Sequence, residues 1–173
     1  MWEKRCGLIA AVLSLYISCN HGLEAEGADP VGISGRVRFV GEWPGDVAQV
    51  AVAVFRKPPA SLSDFFNISG WDTDVPLGVE DYDFFVPLDG AGNYEWVIVA
   101  WRKQDKFWDF SSLLGCYHLP GVDRPAMVEV NPGEIVFGVD IDADFAVLEH
   151  VNDPGTSLCE RLLSTELLAE LGG

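Results

Sequence analysis

Two stretches of the chain alternate apolar and polar side chains, and two others are apolar almost throughout. Ile33-Ser34-Gly35-Arg36-Val37-Arg38-Phe39 sets Ile33, Gly35, Val37 and Phe39 against Ser34, Arg36 and Arg38. That is the period-two signature of a strand with one dry and one wet face. Glu80 to Leu88 repeats it, with Tyr82, Phe84 and Val86 opposite Asp81, Asp83 and Phe85. Gln49 to Arg56 and the run GNYEWVIVAWRK from Gly92 to Lys103 lack such alternation. Val97, Ile98 and Val99 follow one another there, so the spacing predicts a central strand covered on both faces. Gly90 and Gly92 flank Ala91 after Phe85-Val86-Pro87-Leu88, which predicts a tight turn and a hairpin joining the two strands.

Breakers define the remaining elements. Lys57-Pro58-Pro59 ends the second strand, and Ala60 to Gly78 carries Ser61, Asp64, Asn67, Ser69, Gly70, Asp72, Asp74 and Pro76, a crossover loop with one helical turn near Leu62 to Phe66. Gln104 to Asp109 is a polar loop carrying Phe107 and Trp108, and Leu113 to Leu119 is a short strand. Ala126 to Val130 and Glu134 to Phe145 are expected to form a hairpin about Asn131-Pro132-Gly133. The expectation is an all-β fold, a seven-stranded antiparallel sandwich of Greek-key type over residues 32–150.

The ends differ from this domain. Lys4 and Arg5 precede the apolar run Leu8 to Ile17, a signal segment over residues 1–18 too short to span a bilayer. Tyr16-Ile17-Ser18-Cys19 looks like a bacterial lipobox, which implies lipid attachment at Cys19 and a cell-envelope location; ordinary cleavage and release into the periplasm or medium is the alternative. Residues 19–31 read as a flexible acidic tether. In residues 151–173, Ser157 and Glu160 have capping-box spacing, and Leu163, Leu167 and Leu171 recur every fourth residue, the pattern of a short C-terminal helix. Leu158, Leu162 and Leu168 lie partly off that stripe; packing on the domain is preferred to docking in a partner groove.

Charge narrows the partners. Of 173 residues, 27 are Asp or Glu and 11 are Lys or Arg, a formal net charge of −16. Such a surface repels polyanions, so no nucleic acid partner is expected, and membrane contact is expected only through the lipid anchor. An apolar share of 49% supplies a core.

Residues 32 to 146 resemble the transthyretin-like, or carboxypeptidase-regulatory-like, β-sandwich domains of bacterial envelope proteins. The resemblance rests on Ile33 to Phe39, Trp43-Pro44, Val86-Pro87-Leu88 with Gly92-Asn93-Tyr94, and Asp142-Ala143-Asp144-Phe145. It implies a fold and an accessory or adhesive role without catalysis, and no active-site residue of that family has a matching position.

No nucleophile elbow, phosphate loop, dinucleotide fingerprint or zinc-ligand spacing occurs, and His21, His118 and His150 are scattered. The reading is therefore not an enzyme, with no cofactor. Asp140, Asp142 and Asp144 share one strand face and are weak calcium candidates, with Asp72 and Asp74 as extra ligands; like charges on a solvated face is the preferred reading. Trp71, Trp101 and Trp108, read as lying in or beside loops, are candidates for stacking on a glycan or an envelope protein, with core packing the preferred reading. Asn67-Ile68-Ser69 matches a glycosylation sequon by pattern alone. After cleavage at Cys19, Cys116 and Cys159 remain as a candidate disulfide in an oxidising compartment, with a buried free Cys116 as the alternative. A structural or protein-interaction module is the leading functional reading, and a carbohydrate- or small-ligand-binding module the second.

Overall fold

A computed structural model describes residues 30–108, 113–122, 124–146 and 159. Ten strands occur among them: β1 (Gly32–Val40), β2 (Val47–Phe55), β3 (Gly70–Asp72), β4 (Asp81–Pro87), β5 (Gly92–Tyr94), β6 (Trp96–Lys103), β7 (Leu113–Cys116), β8 (Val128–Val130), β9 (Ile135–Val136) and β10 (Ile141–Asp144). One 3-10 turn, Leu62–Phe66, lies between β2 and β3. The first sheet runs β10-β1-β4 with β9 also on β1, the second runs β3-β2-β6-β7, and β5 pairs with β8.

The alternating strands went to the first sheet. In β1, Ile33, Val37 and Phe39 are buried while Arg36, Arg38 and Val40 are exposed, and β4 buries Phe84 and Val86. The apolar strands β2 and β6 are central in the second sheet and pair along eight positions from Val47 and Lys103 to Phe55 and Trp96. Val50, Val52 and Val54 of β2, with Val97, Val99 and Trp101 of β6, meet Ile33, Val37, Phe84, Val86, Ile141 and Ala143 from the first sheet in one core. Phe39, Trp43 and Phe145 close its end, Trp43 lying 4.8 Å and 4.7 Å from the other two ring centres. Trp43 Nε1 donates to the Val79 carbonyl at 3.2 Å. At Gly115 of β7 the chain passes so close to β10 that a Cβ would strike the Asp142 carbonyl, so only glycine fits.

The all-β class stands, and five sequence expectations are corrected. The strands number ten rather than seven, and β1 pairs in parallel with β9 and β10 rather than antiparallel throughout. The predicted β4 to β6 hairpin is absent, because β4 pairs with β1 and the run from Gly92 divides at Glu95 between β5 and β6, which join different sheets. A turn does form at Asn131 to Glu134, where the Glu134 carboxylate accepts from the Asn131 backbone N–H, but its flanking strands pair with β5 and β1 instead of each other. The supposed crossover loop contains β3 beside its helical turn. The signal segment, tether residues 19–29 with Cys19 and His21, His150 and, apart from Cys159, the C-terminal tail lie outside the described residues, while Val31 at the tether's end packs against the core. No helix among the described residues is long and apolar enough to cross a membrane.

Candidate functional site

The outward face of the β3-β2-β6-β7 sheet is apolar. Period two puts Ala51, Ala53 and Phe55 of β2 on the side opposite Val50, Val52 and Val54, and does the same for Trp96, Ile98 and Ala100 of β6. Phe55, Phe65, Trp96, Leu113, Cys116 and Cys159 pack there as a second, smaller core. Phe55 and Trp96 lie tilted to one another with ring centres 5.3 Å apart, and Phe65 meets both rings.

Among the described residues this second layer does not cover the whole face. Beside it lies a cavity of about 840 Å³, floored by Ala51, Ala53, Ile98 and Ala100. Its walls are Phe65, Phe66 and Ile68 from the 3-10 turn and its exit, Trp71 from β3, and Trp108 from the loop after β6. The floor is deep because three of its four residues are alanines in strands where β-branched residues would otherwise stand. Among the described residues, Ser69 is the one lining side chain of polar type apart from the indole N–H groups. Phe66 is 89% exposed and Trp71 54% exposed, so two aromatic rings stand at the rim.

Polar contacts fix the walls. The Asp64 carboxylate accepts from the Ser61 hydroxyl, the Ser61 N–H and the Ala60 N–H at 2.9 to 3.0 Å. The Ser61 hydroxyl bond leads these in holding Asp64 below the usual carboxylate range, and together they set the turn that carries Phe65 and Phe66. The Tyr82 hydroxyl donates to Asp72 at 3.0 Å and ties β3, with Trp71, to β4. Burial first, then that bond, pushes the Tyr82 phenol up to about 12. Arg102 Nη1 donates to the Lys106 carbonyl at 3.1 Å, bracing the loop that brings Trp108 over the floor.

The candidate residues divide. Trp71 and Trp108 meet at this cavity. Trp101 does not: it lies in β6, 4% exposed, on the inner side with Val97 and Val99, and its Nε1 has no hydrogen-bond partner. Cys116 and Cys159 form a disulfide with Cα atoms 5.5 Å apart, and Trp96 Nε1 donates to the Cys159 carbonyl at 3.2 Å. Asp140, Asp142 and Asp144 stand along β10 and its approach, but each is taken by a different partner. Asp140 accepts from the Arg36 N–H, Asp142 pairs with Arg38, and Asp144 accepts from the Ala146 N–H. Asp72 faces Tyr82, while Asp74 donates its own N–H to Asp72. Among the described residues no three metal-ligating side chains converge. His118 is exposed, its ring against the Leu119 carbonyl. Asn67, of the sequon, is exposed beside the 3-10 turn and contacts Asp64 at 3.4 Å.

Sequence reasoning missed the floor. The signal was present in Val50-Ala51-Val52-Ala53-Val54, where one face of the strand carries branched side chains and the other only methyl groups. Comparison with known proteins finds no matching family model, no similar curated protein and no similar solved structure.

Proposed function

We propose that the protein is a non-catalytic envelope module that holds an apolar small ligand on the outward face of its β3-β2-β6-β7 sheet. The observation that carries this reading is the 840 Å³ cavity, walled by Trp71 and Trp108 and floored by alanine and isoleucine. Concave, mostly apolar sites of this size are the usual form of small-ligand sites. A sugar would stack on the same rings but find Ser69 nearly alone to satisfy its hydroxyls, and unpaired buried hydroxyls are costly. The Cys116–Cys159 disulfide supports an oxidising compartment, in keeping with a lipid anchor at Cys19 and a transthyretin-like accessory domain.

Titration with the apolar probe N-phenylnaphthylamine tests the site. Probe fluorescence should rise and tryptophan emission should be quenched, Trp71→Ala should weaken binding, and Ala100→Phe should fill the floor and abolish it. Equal binding by the wild type and Ala100→Phe would remove the cavity from consideration. A second reading, a protein-interaction module, is favoured by the exposed Phe66 and Trp71, ring types that dominate binding energy at protein interfaces. It predicts that Phe66→Ser loses a protein partner and that the wild type takes up no apolar probe.

A further inference from the structure

The described lining of the cavity carries no charged side chain, and the next outward position of β6 beyond it is Arg102. Along β6 the outward positions run Trp96, Ile98, Ala100 and then Arg102, and along β2 they run Phe55, Ala53, Ala51 and then Gln49. Gln49 and Arg102 are register partners, and Arg102 Nη2 lies 3.5 Å from Gln49 Oε1. Three two-residue steps separate Trp96 from Arg102, ~20 Å of strand. The face therefore offers methyl groups and rings for most of its length and one half-buried guanidinium at its end.

That guanidinium lacks an acidic partner in a chain rich in them. Among the described residues Arg36, Arg38, Arg56 and Lys103 are each paired with a carboxylate, whereas Lys57, Arg102, Lys106 and Arg124 are not, and of these four only Arg102 is half-buried. Its described contacts are neutral, the Lys106 carbonyl and the Gln49 amide. A guanidinium has five N–H donors in a planar fork that fits a carboxylate. The net charge of −16 repels anions at a distance, but that far field is screened beyond about 8 Å at physiological salt, which leaves a contact at Arg102 to local chemistry.

We propose that the cavity is the site of a free long-chain fatty acid, its carboxylate on Arg102 and its chain over Ala100 and Ile98 between Trp108 and Trp71. The inference rests on the apolar-ligand reading above and adds a head group and a direction to it. Charge complementarity at one end of an apolar trough is what separates this occupant from a neutral oil or a sugar.

The test compares laurate, dodecanol and anionic phospholipid vesicles on the purified, delipidated full chain, read by tryptophan quenching at fixed ionic strength. Laurate should bind about tenfold more tightly than dodecanol, the difference expected of one charge-assisted pair. Arg102→Gln should erase that margin, and Arg102→Lys should retain most of it. Equal affinity for laurate and dodecanol in the wild type would overturn the head-group assignment and leave the apolar-ligand reading standing. Loss of both ligands in Arg102→Gln would reduce Arg102 to a brace for the Trp108 loop and overturn the inference. Binding to vesicles without binding to laurate would make a membrane lipid the occupant and overturn it. If neither laurate nor dodecanol binds, both readings fall, and the cavity passes to a protein partner or to other residues of this chain.

Discussion

The outward face of the β10-β1-β4 sheet is a lattice of charge, whereas that of the β3-β2-β6-β7 sheet is methyl groups and aromatic rings. On the first, Arg36 pairs with Asp83 at 2.7 Å and Arg38 with Asp142 at 2.9 Å, so acidic strands flank a basic one. These pairs are exposed and screened by solvent, so each adds little to stability, and together they keep this face in water. On the second, the strands cannot end in water, and a second layer of Phe65, Trp108 and the Cys116–Cys159 bridge lies over them. Where that layer stops, a cavity remains. The inner halves of both sheets share one core, so the difference between a solvated wall and a binding surface resides in the outward residues alone.

Trp96 and Arg38 give the sharpest contrast. Trp96→Ala removes a fully buried ring from the second layer and should cost about 3–5 kcal/mol, whereas Arg38→Ala, at a solvent-screened pair, should leave the midpoint nearly unchanged. Urea denaturation of both variants measures this, and equal midpoints would erase the distinction between the faces. Next in size is the bridge. Replacing Cys116 and Cys159 together by serine opens a link spanning 43 residues and should cost about 2–4 kcal/mol. An unchanged urea midpoint would show that the second layer holds without its covalent tie.

Those contrasts follow residues whose pattern was legible in unequal degree. The alternation in Ile33 to Phe39 and Asp81 to Val86 reads out both faces of β1 and β4, because one-sided burial writes itself as a period of two. The apolar runs in β2 and β6 announce burial on both sides but do not say against what. Trp101 and Trp108 look alike in sequence, yet strand parity sends one inward and a loop lays the other over the cavity. Pairing was least legible. Nothing near Asp142 signals that it will meet Arg38 in parallel register, since that contact depends on the path of the intervening chain.

The smallest effect belongs to the charged face and concerns pH. The hydrogen bond from Arg36, more than its charge, holds Asp83 below the usual carboxylate range. The folded value is depressed, so the stability it contributes is present above the ordinary carboxylate pKa of ~4 and is lost as pH falls through the lower folded value. Asp83→Asn should flatten the acid limb of a stability-against-pH curve slightly and leave neutral-pH ligand binding untouched. A steeper acid limb in the variant would reverse the sign assigned to this pair.

The pairing of β10 with β1 also sets an order in time. Arg38 and Asp142 lie 104 residues apart, and at a synthesis rate of about 5–20 residues per second the later strand follows the earlier by roughly 5–20 s. Through that interval one edge of β1 lacks the neighbour that will occupy it, and unpaired edges recruit foreign strands. Arg36 and Arg38 stand on that strand, and like charges on two nascent copies repel one another. The basic stripe at the centre of the acidic face thus guards the unfinished chain against its own kind before it serves the finished one.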